Sequence, residues 1–583
     1  MVAGLGLFCV MLYLTSHQCS CHPPNIILML LDDVGWGDLG VNGNWAKETP
    51  YIDKMAAEGM LFTDFYAANP VCSPSRAALM TGRLPIRNGF YTTNGHAKNS
   101  FFRQDVIGGI SEHEKLLPSL LKEAKYKSKI IGKWHLGQRK EFLPRNKGFD
   151  EFFGSLNNHY GPYDDVKMPN VPVFKNDKMI GRYFTNFTID KQGRSNISQM
   201  FLSEGLSFIE EQHSAGNPFF LYWTPDANHD PSYASPMFHG KSVRGIYGDS
   251  VMEMDYCVGM ILDKLKDLGI DKKTFVFFTS DNGAASYLKT RGGDNGPFLC
   301  GKLTTFEGGL RVPGIAWWPS KIRPGSISHQ LGNTMDLFTT SLLIAGVEPP
   351  RDRMLDGLDL SSTLFGEEAS EAKDRPIWYY RGNEMMAVRV GAYKAHYWTW
   401  TGYGSQPYSF QLCSGIYVEN ITSHHQLDHT ESPVLFNLHK DPGEKYIISN
   451  DSAEYQAAMK IIDPIVKEHR MTFISTRESY TDCSDEESLA SWNELMDDIH
   501  GNSAGDFSEN KKKYGAHLEP SAHCRNNKLQ EGGQDTFLES RLGNPVFNHC
   551  DIAGRSWSPP GCEELNYCLP VPESNRTLCS WLF

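Results

Sequence analysis

The sequence has no surplus of the residues that keep a chain from packing. Glycine and proline number 53 and 32 among 583 residues, well below the roughly 25–30% of low-complexity chains, so wholesale disorder is excluded. Positive charge is short as well: Lys plus Arg total 56 against 69 for Asp plus Glu, a net charge of −13. A nucleic-acid binder needs a broad basic face, so that class is excluded, and any anionic ligand must meet a local basic pocket. Long apolar runs are absent except Val2 to Leu14, which is too short to span a bilayer. That run lacks a basic start but ends in the small, polar Ser16 to Ser20, and it reads as a secretory signal peptide over residues 1–21. The chain carries no internal repeat.

Hydrophobic residues make up 40% and aromatics 12% of the chain, enough to fill a large core. Of the 13 cysteines, Cys9, Cys19 and Cys21 fall in the signal segment, while Cys550, Cys562, Cys568 and Cys579 crowd the C-terminus, as in an oxidising compartment. Sequons at Asn186, Asn196, Asn420, Asn450 and Asn575 agree with secretion and glycosylation. The 20 histidines gain charge near pH 5, which weakens the repulsion of an anion in an acidic compartment.

From Pro24 to about Arg375, short β-rich apolar runs alternate with helical patterns, the signature of a mostly parallel sheet covered by helices. Strands are expected at Ile26 to Leu31, Lys129 to Ile131, Phe219 to Trp223 and Thr274 to Thr279. Helices are expected at Thr49 to Glu58, Leu116 to Ala124 and Ser250 to Leu268. Beyond Arg375 the aromatic, alternating runs Ile377 to Tyr380, Ala387 to Val390 and Tyr393 to Trp400 predict a smaller antiparallel sheet. The division is therefore a signal peptide (1–21), a first domain (22–375), an antiparallel sheet domain (376–471), a polar insertion or mobile loop (472–544) and a Cys-rich, disulfide-held tail (545–583). The fold class is α/β, with a large mixed sheet between helices.

Ligands of α/β sheets bind at the carboxyl ends of strands, and polar groups follow two of the predicted strands directly. Asp32 and Asp33 follow Ile26 to Leu31, and Asp281 and Asn282 follow Thr274 to Thr279. Three carboxylates and a carboxamide form a hard oxygen set suited to calcium or magnesium; singly, each pair reads equally well as a turn or helix cap. Cys72-Ser73-Pro74-Ser75-Arg76 places proline in the first turn of a helix running to about Met80. Such a helix start attracts a sulfate or phosphate, to which Arg76 could add a planar fork. The plain alternative is a half-buried thiol beside a surface arginine.

The segment Cys72 to Arg76, with Leu79, Thr81, Gly82 and Arg83, resembles the signature of the sulfatase family, whose cysteine is oxidised to formylglycine. A second family signature matches Lys125 to His135 and departs at Lys125 and Ser128, while its Gly132-Lys133-Trp134-His135 ending is intact. If the strand continues through Gly132, Lys133 and His135 share one face. Within the family the chain is similar to members acting on 6-sulfated N-acetylgalactosamine, through Asn69 to Arg76, Arg83 to Asn94, Gly296 to Gly309 and Met335 to Thr340. The resemblance covers about Pro24 to Arg470 and resumes at Asn548; the polar stretch between departs from the pattern. Phe101 stands where the family places an active-site tyrosine.

The resemblance implies an alkaline-phosphatase/sulfatase-like fold. It implies one Ca²⁺ per subunit, held by Asp32, Asp33, Asp281, Asn282 and the formylglycine made from Cys72. It makes Cys72, Arg76, Lys133, His135, His229 and Lys302 the catalytic set: Arg76 orients the formylglycine, while Lys133, His229 and Lys302 contact sulfate beside Phe101. His229 is the acid for the leaving oxygen, and His135 the base for the elimination that regenerates the aldehyde. The implied reaction is hydrolysis of a sulfuric ester by a formylglycine hydrate nucleophile, removing 6-O-sulfate from N-acetylgalactosamine or galactose of chondroitin or keratan sulfate. Implied disulfides are Cys300–Cys413, Cys550–Cys579 and Cys562–Cys568, with Cys257 a buried thiol and Cys483 and Cys524 closing the insertion. The formylglycine-generating enzyme is the implied maturation partner, a homodimer the implied assembly, and the lysosome the implied destination. Three alternatives stand beside this reading: an arylsulfatase-like enzyme acting on another sulfated sugar or lipid, an inactive sulfated-glycan binder, and a phosphate-ester hydrolase on the related fold.

Overall fold

Strand β1 (Asn25–Leu31) shows why its neighbourhood forms a buried sheet: apart from Asn25 every residue is apolar, and both faces are covered. Ile26, Leu28 and Leu30 pack toward helices α2 (Cys72–Thr81), α4 (Leu117–Leu121) and α8 (Asp336–Ile344). Ile27, Met29 and Leu31 face α1 (Pro50–Glu58), α5 (Ile197–Ala215) and α6 (Ile246–Asp267) on the other side. This two-sided burial accounts for continuous rather than alternating hydrophobicity. The computed structural model describes residues 23–46, 48–91, 109–159, 171–366, 375–403, 410–413, 418, 421, 426–472, 568–571 and 576–579. The signal segment, Phe101, Asn420, Asn575, Cys483, Cys524, Cys550, Cys562 and the insertion beyond Thr472 lie outside the described residues.

The main sheet has ten strands. They are β1, β2 (Met60–Phe62), β4 (Lys127–Lys133), β5 (Glu151–Ser155), β6 (Pro172–Lys175), β7 (Lys178–Arg182), β8 (Phe219–Thr224), β9 (Thr274–Ser280), β10 (Gly314–Trp317) and β11 (Ser326–Ser328). Their order is β11-β2-β10-β9-β1-β8-β4-β5-β6-β7. The central run β9-β1-β8-β4-β5 is entirely parallel, and antiparallel pairs lie toward both edges. A two-stranded sheet of β3 (Phe65–Tyr66) and β12 (Gly332–Asn333) lies beside it. The carboxyl ends of β1, β4, β8 and β9 therefore open at one edge of the parallel core, where a ligand site of such a sheet belongs.

A second, antiparallel sheet comprises β13 (Pro376–Arg381), β14 (Glu384–Val390), β15 (Tyr393–His396) and β20 (Val434–Asn437). Helix α10 (Ala453–Met471) lays Tyr455, Ala458, Met459 and Ile462 on it and is capped by the Ser452 hydroxyl, which accepts from the Tyr455 N–H. Small pairs complete the region: β16 (Trp398–Thr399) with β19 (Leu427–Asp428), and β17 (Gly402–Tyr403) with β18 (Phe410–Gln411). In the tail, β21 (Cys568–Val571) and β22 (Arg576–Cys579) form a hairpin. The short helices are α3 (Pro85–Asn88), α7 (Glu307–Leu310) and α9 (Ser361–Phe365).

Three sequence expectations change in detail. The helix expected over Leu116 to Ala124 ends as α4 at Leu121, and a 3-10 turn over Lys122–Ala124 follows because Lys125 turns into the left-handed region at φ 63°. The run Tyr393 to Trp400 is two strands broken at Tyr397, with β16 turning to a different partner. Helix α6 starts at Ile246 rather than Ser250.

The two sheets are joined by buried charge. Glu307 of α7 accepts from Tyr66 (2.6 Å), Tyr379 (2.7 Å) and Lys394 (3.0 Å), and its own N–H donates to Glu444. Burial opposes ionisation of Glu307, but Lys394, Arg311 and Arg389 outweigh it and bring its pKa from 4.5 down to about 2. A depressed carboxyl contributes stability that is complete above pH 4.5 and is lost as pH falls toward 2. Urea midpoints taken across that window should fall in the wild type and fall less in Glu307→Gln, which starts lower because three cations lose their anion. Equal slopes would contradict the role given to this carboxylate.

Candidate active site

At the carboxyl ends of β1 and β9, Asp32, Asp33 and Asp281 converge on Cys72, the first residue of α2. One ligand atom from each lies within 4.8 Å of the others, and all four residues are buried. The helix runs from Cys72 to Thr81 with Pro74 in its first turn, and it stops at Gly82, whose φ of 68° is the left-handed form open to glycine. The Cys72 thiol donates to Asp32 Oδ1 at 3.4 Å. Burial pushes that thiol pKa up, and Asp281 and Asp32 push it further, so the sulfur is held protonated. An unmodified Cys72 is thus a poor nucleophile.

Cations surround the acids. Lys133, at the end of β4, donates to Asp32 Oδ2 at 2.6 Å, and Lys302 lies 2.7 Å from an Asp33 carboxylate oxygen. Burial opposes the charge on Asp32, but Lys133, Arg76, His229 and Lys302 outweigh it and hold the carboxyl well below the usual range. Asp281 is raised to about 6, by burial first and by Asp32 next. Lys133 can sit at this point because Gly132 precedes it at φ 112°, where an added Cβ would meet Thr224 O at 2.1 Å.

The oxygen set also fits a hard cation. Asn282 Nδ2 donates to Asp33 Oδ1 at 2.7 Å, which leaves Asn282 Oδ1 buried with no hydrogen-bond partner beside the three carboxylates. An orphaned buried carbonyl oxygen costs about 1–3 kcal/mol, and a calcium-type ion would use it as a ligand.

Two expectations about this site are corrected. Arg76 offers no free fork to an anion: its Nε and Nη2 donate to Asp281 Oδ2 (2.9 and 2.7 Å), its Nη1 donates to Lys133 O (3.0 Å), and the side chain is fully buried. It holds Asp281 and the end of β4 in place. Lys133 and His135 also do not share a strand face, because β4 ends at Lys133 and His135 takes φ 63° while its N–H bonds Leu156 O. His135 is buried just beyond the strand end.

Lys302 is a buried group rather than a solvated lysine, and its loop is tied by the disulfide Cys300–Cys413 to the strands beyond the second sheet. His229 is likewise buried: its Nε2 lies 3.9 Å from Asp33 Oδ2 and 3.0 Å from Asn158 Nδ2. Burial, then Lys302, keep the His229 pKa well below the ordinary value. Cys257 is a buried free thiol in α6, and Asn186, Asn196 and Asn450 are exposed. Cys568 and Cys579 are cross-strand partners of the tail hairpin.

Sequence reasoning missed the support behind His229. His159 Nδ1 meets Asp226 Oδ2 at 2.9 Å, and its Nε2 meets the carbonyls of His229 and Pro231, each at 3.2 Å. Tyr183 and Tyr233 both donate to Asp226 Oδ1 at 2.7 Å. Burial disfavours charge on both members of the pair, yet their mutual attraction raises His159 and lowers Asp226. Asn158 and His159 lie beyond the end of β5, a strand the sequence reading did not place, and Asp226 lies just beyond β8, so only Asp226 was within reach of the strand-end rule that marked Asp32. Asp226→Asn should cost about 3–5 kcal/mol, since one partner of a buried pair is removed. Urea unfolding measures this, and wild-type stability in the variant would refute it.

Comparison with known proteins agrees with the fold. The family model described as Sulfatase matches residues 24–347, and that described as C-terminal region of aryl-sulfatase matches 372–494. The chain belongs to the sulfatase family and is an enzyme of that class. It is 49% identical over 562 residues to the N-acetylgalactosamine-6-sulfatase of Canis lupus familiaris, covering 96% of this chain and 94% of that protein. It is 35% identical to arylsulfatase A of Homo sapiens, over 75% of this chain and 85% of that one. Among solved structures, a sulfatase from Pseudoalteromonas sp. superposes with a TM-score of 0.66 at 29% identity, over 78% of this chain and 92% of its own.

Proposed function

We propose that this enzyme is a calcium-dependent exo-sulfatase that removes 6-O-sulfate from N-acetylgalactosamine or galactose units of chondroitin or keratan sulfate, using formylglycine made from Cys72. The observation that carries the reading is the seat of Cys72, at the start of a helix and beside an oxygen cluster flanked by Lys133 and Lys302. The name shared by the nearly full-length relatives supports the sugar.

Asp32, Asp33, Asp281 and Asn282 would hold calcium, whose charge draws in the ester and stabilises charge developing on its oxygens. Formylglycine, after adding water across its aldehyde, would supply a hydroxyl nucleophile where the thiol cannot act. Lys133 and Lys302 put two ammonium groups where a sulfate beside Cys72 would lie, an arrangement that stabilises a crowded anionic transition state. Burial and Lys302 keep His229 neutral; an anionic ester would offset the nearby lysines, raise its proton affinity and let Nε2 protonate the leaving sugar oxygen. His135 serves as the base that restores the aldehyde, and Arg76 keeps Asp281 aimed.

The reading includes maturation by a formylglycine-generating enzyme, glycosylation at the five sequons, a homodimer and delivery to the lysosome. It keeps 22–375 as the catalytic domain, 376–471 as the second domain, 472–544 as an insertion and 545–583 as a tail closed by Cys550–Cys579 and Cys562–Cys568. No helix among the described residues is long and apolar enough to cross a membrane. Assay of the purified enzyme against 6-sulfated N-acetylgalactosamine and galactose, other sulfated sugars and sulfated lipids tests the substrate. Preferred turnover of any ester outside the first two overturns it.

A further inference from the structure

The turn Ser286–Arg291 follows the strand end that bears Asp281 and Asn282. At its start, Tyr287 packs on the cluster containing Val71, Leu303 and Trp400, and Leu303 is the neighbour of Lys302 in the chain. At its end, the Arg291 guanidinium lies 3.4 Å from Asp230 Oδ2, one residue from His229. One turn thus touches the chain neighbours of both Lys302 and His229.

Between these ends Lys289 is exposed and adopts φ 57° with ψ −117°. A conformation so rare for a side-chain-bearing residue costs about 1–3 kcal/mol, and such strain concentrates at functional sites. Arg291 keeps 63% of its side chain exposed despite its ion pair, so a ligand in solution can reach it. The other acid nearby, Asp294, directs a carboxylate oxygen to the Gly296 N–H at 2.8 Å. Lys289 and Arg291 thus set two exposed cations on one turn of a protein of net charge −13.

We propose that Lys289 and Arg291 bind an anionic group, a carboxylate or a second sulfate, on the sugar next to the one that loses its sulfate. The assignment rests on the function proposed above and adds the recognition of a second, flanking charge. It makes the enzyme selective for oligosaccharides over the isolated sulfated monosaccharide, since Arg can meet either anion through two parallel hydrogen bonds.

The test compares kcat/KM of the full-length enzyme on 6-sulfated N-acetylgalactosamine alone, on a trisaccharide with a neighbouring uronate, and on one with a neighbouring sulfated N-acetylglucosamine. In Arg291→Ala the ratio of trisaccharide to monosaccharide kcat/KM should fall about tenfold, the equivalent of one charge-assisted contact. Lys289→Ala should lower it less, Arg291→Lys should restore part of it, and added salt should shrink the difference. The trisaccharide that loses more identifies the anion. An unchanged ratio overturns the proposal, as does an equal loss on all three substrates, which would mean that the turn only supports the His229 loop. If the wild type hydrolyses none of the three, the proposed function fails by itself. Equilibrium binding of both trisaccharides to Cys72→Ala, with and without Arg291→Ala, then decides the subsite: about tenfold weaker binding supports it, and equal binding overturns it.

Discussion

Cys72→Ala should lower sulfate-ester turnover by a factor on the order of 10⁴ to 10⁶, the scale seen when a covalent nucleophile is removed from an otherwise intact site. The loss is that large because, among the described residues, the groups beside Cys72 are committed to other partners. Asp32 and Asp281 beside Cys72 are paired with Lys133 and Arg76, and His229 is kept neutral by burial and Lys302. The fold should survive, since Cys72 contributes one thiol hydrogen bond of 3.4 Å and a small buried volume. Steady-state assay with an aryl sulfate ester, beside a melting curve, separates the two effects. Activity above about one hundredth of wild type would show that the nucleophile lies elsewhere.

Removing the metal should have the next largest effect. Three buried carboxylates face one point, and the Asn282 carbonyl oxygen beside them has no protein partner. Calcium at about 100 times its dissociation constant should stabilise the wild type by about 2.7 kcal/mol, and a chelator should abolish both this gain and activity. Asp281→Asn keeps the shape of the site but removes one ligand charge and the partner of Arg76. Its melting temperature should not respond to calcium, and its turnover should fall by about 10²- to 10³-fold. A wild-type melting temperature indifferent to calcium would contradict the assignment.

The sheet and the metal-type ligands were legible because their signals are local. Asn25–Leu31 and Thr274–Ser280 carry apolar runs at their centres, and the acids follow the two strands without a gap, so the two strand ends taken together point to Asp32, Asp33, Asp281 and Asn282. What stayed hidden is relational. That Arg76 is committed to Asp281 depends on two elements 205 residues apart in sequence. The His159–Asp226 pair joins the ends of β5 and β8, and Glu307 gathers partners from Tyr66 to Glu444. Periodicity carries no information about such pairings, because each residue alone reads as an ordinary loop or helix-start polar group. His135 fell outside the expected pattern for a different reason, a single left-handed residue beyond the strand that resets the alternation.

Peptide mass spectrometry across Cys72 of the purified enzyme decides whether Cys72 works as formylglycine within this oxygen-lined pocket. The expected peptide is lighter by about 18 Da than the unmodified sequence, the signature of thiol-to-aldehyde conversion. An intact thiol, in protein made by cells that convert a control sulfatase, would contradict it.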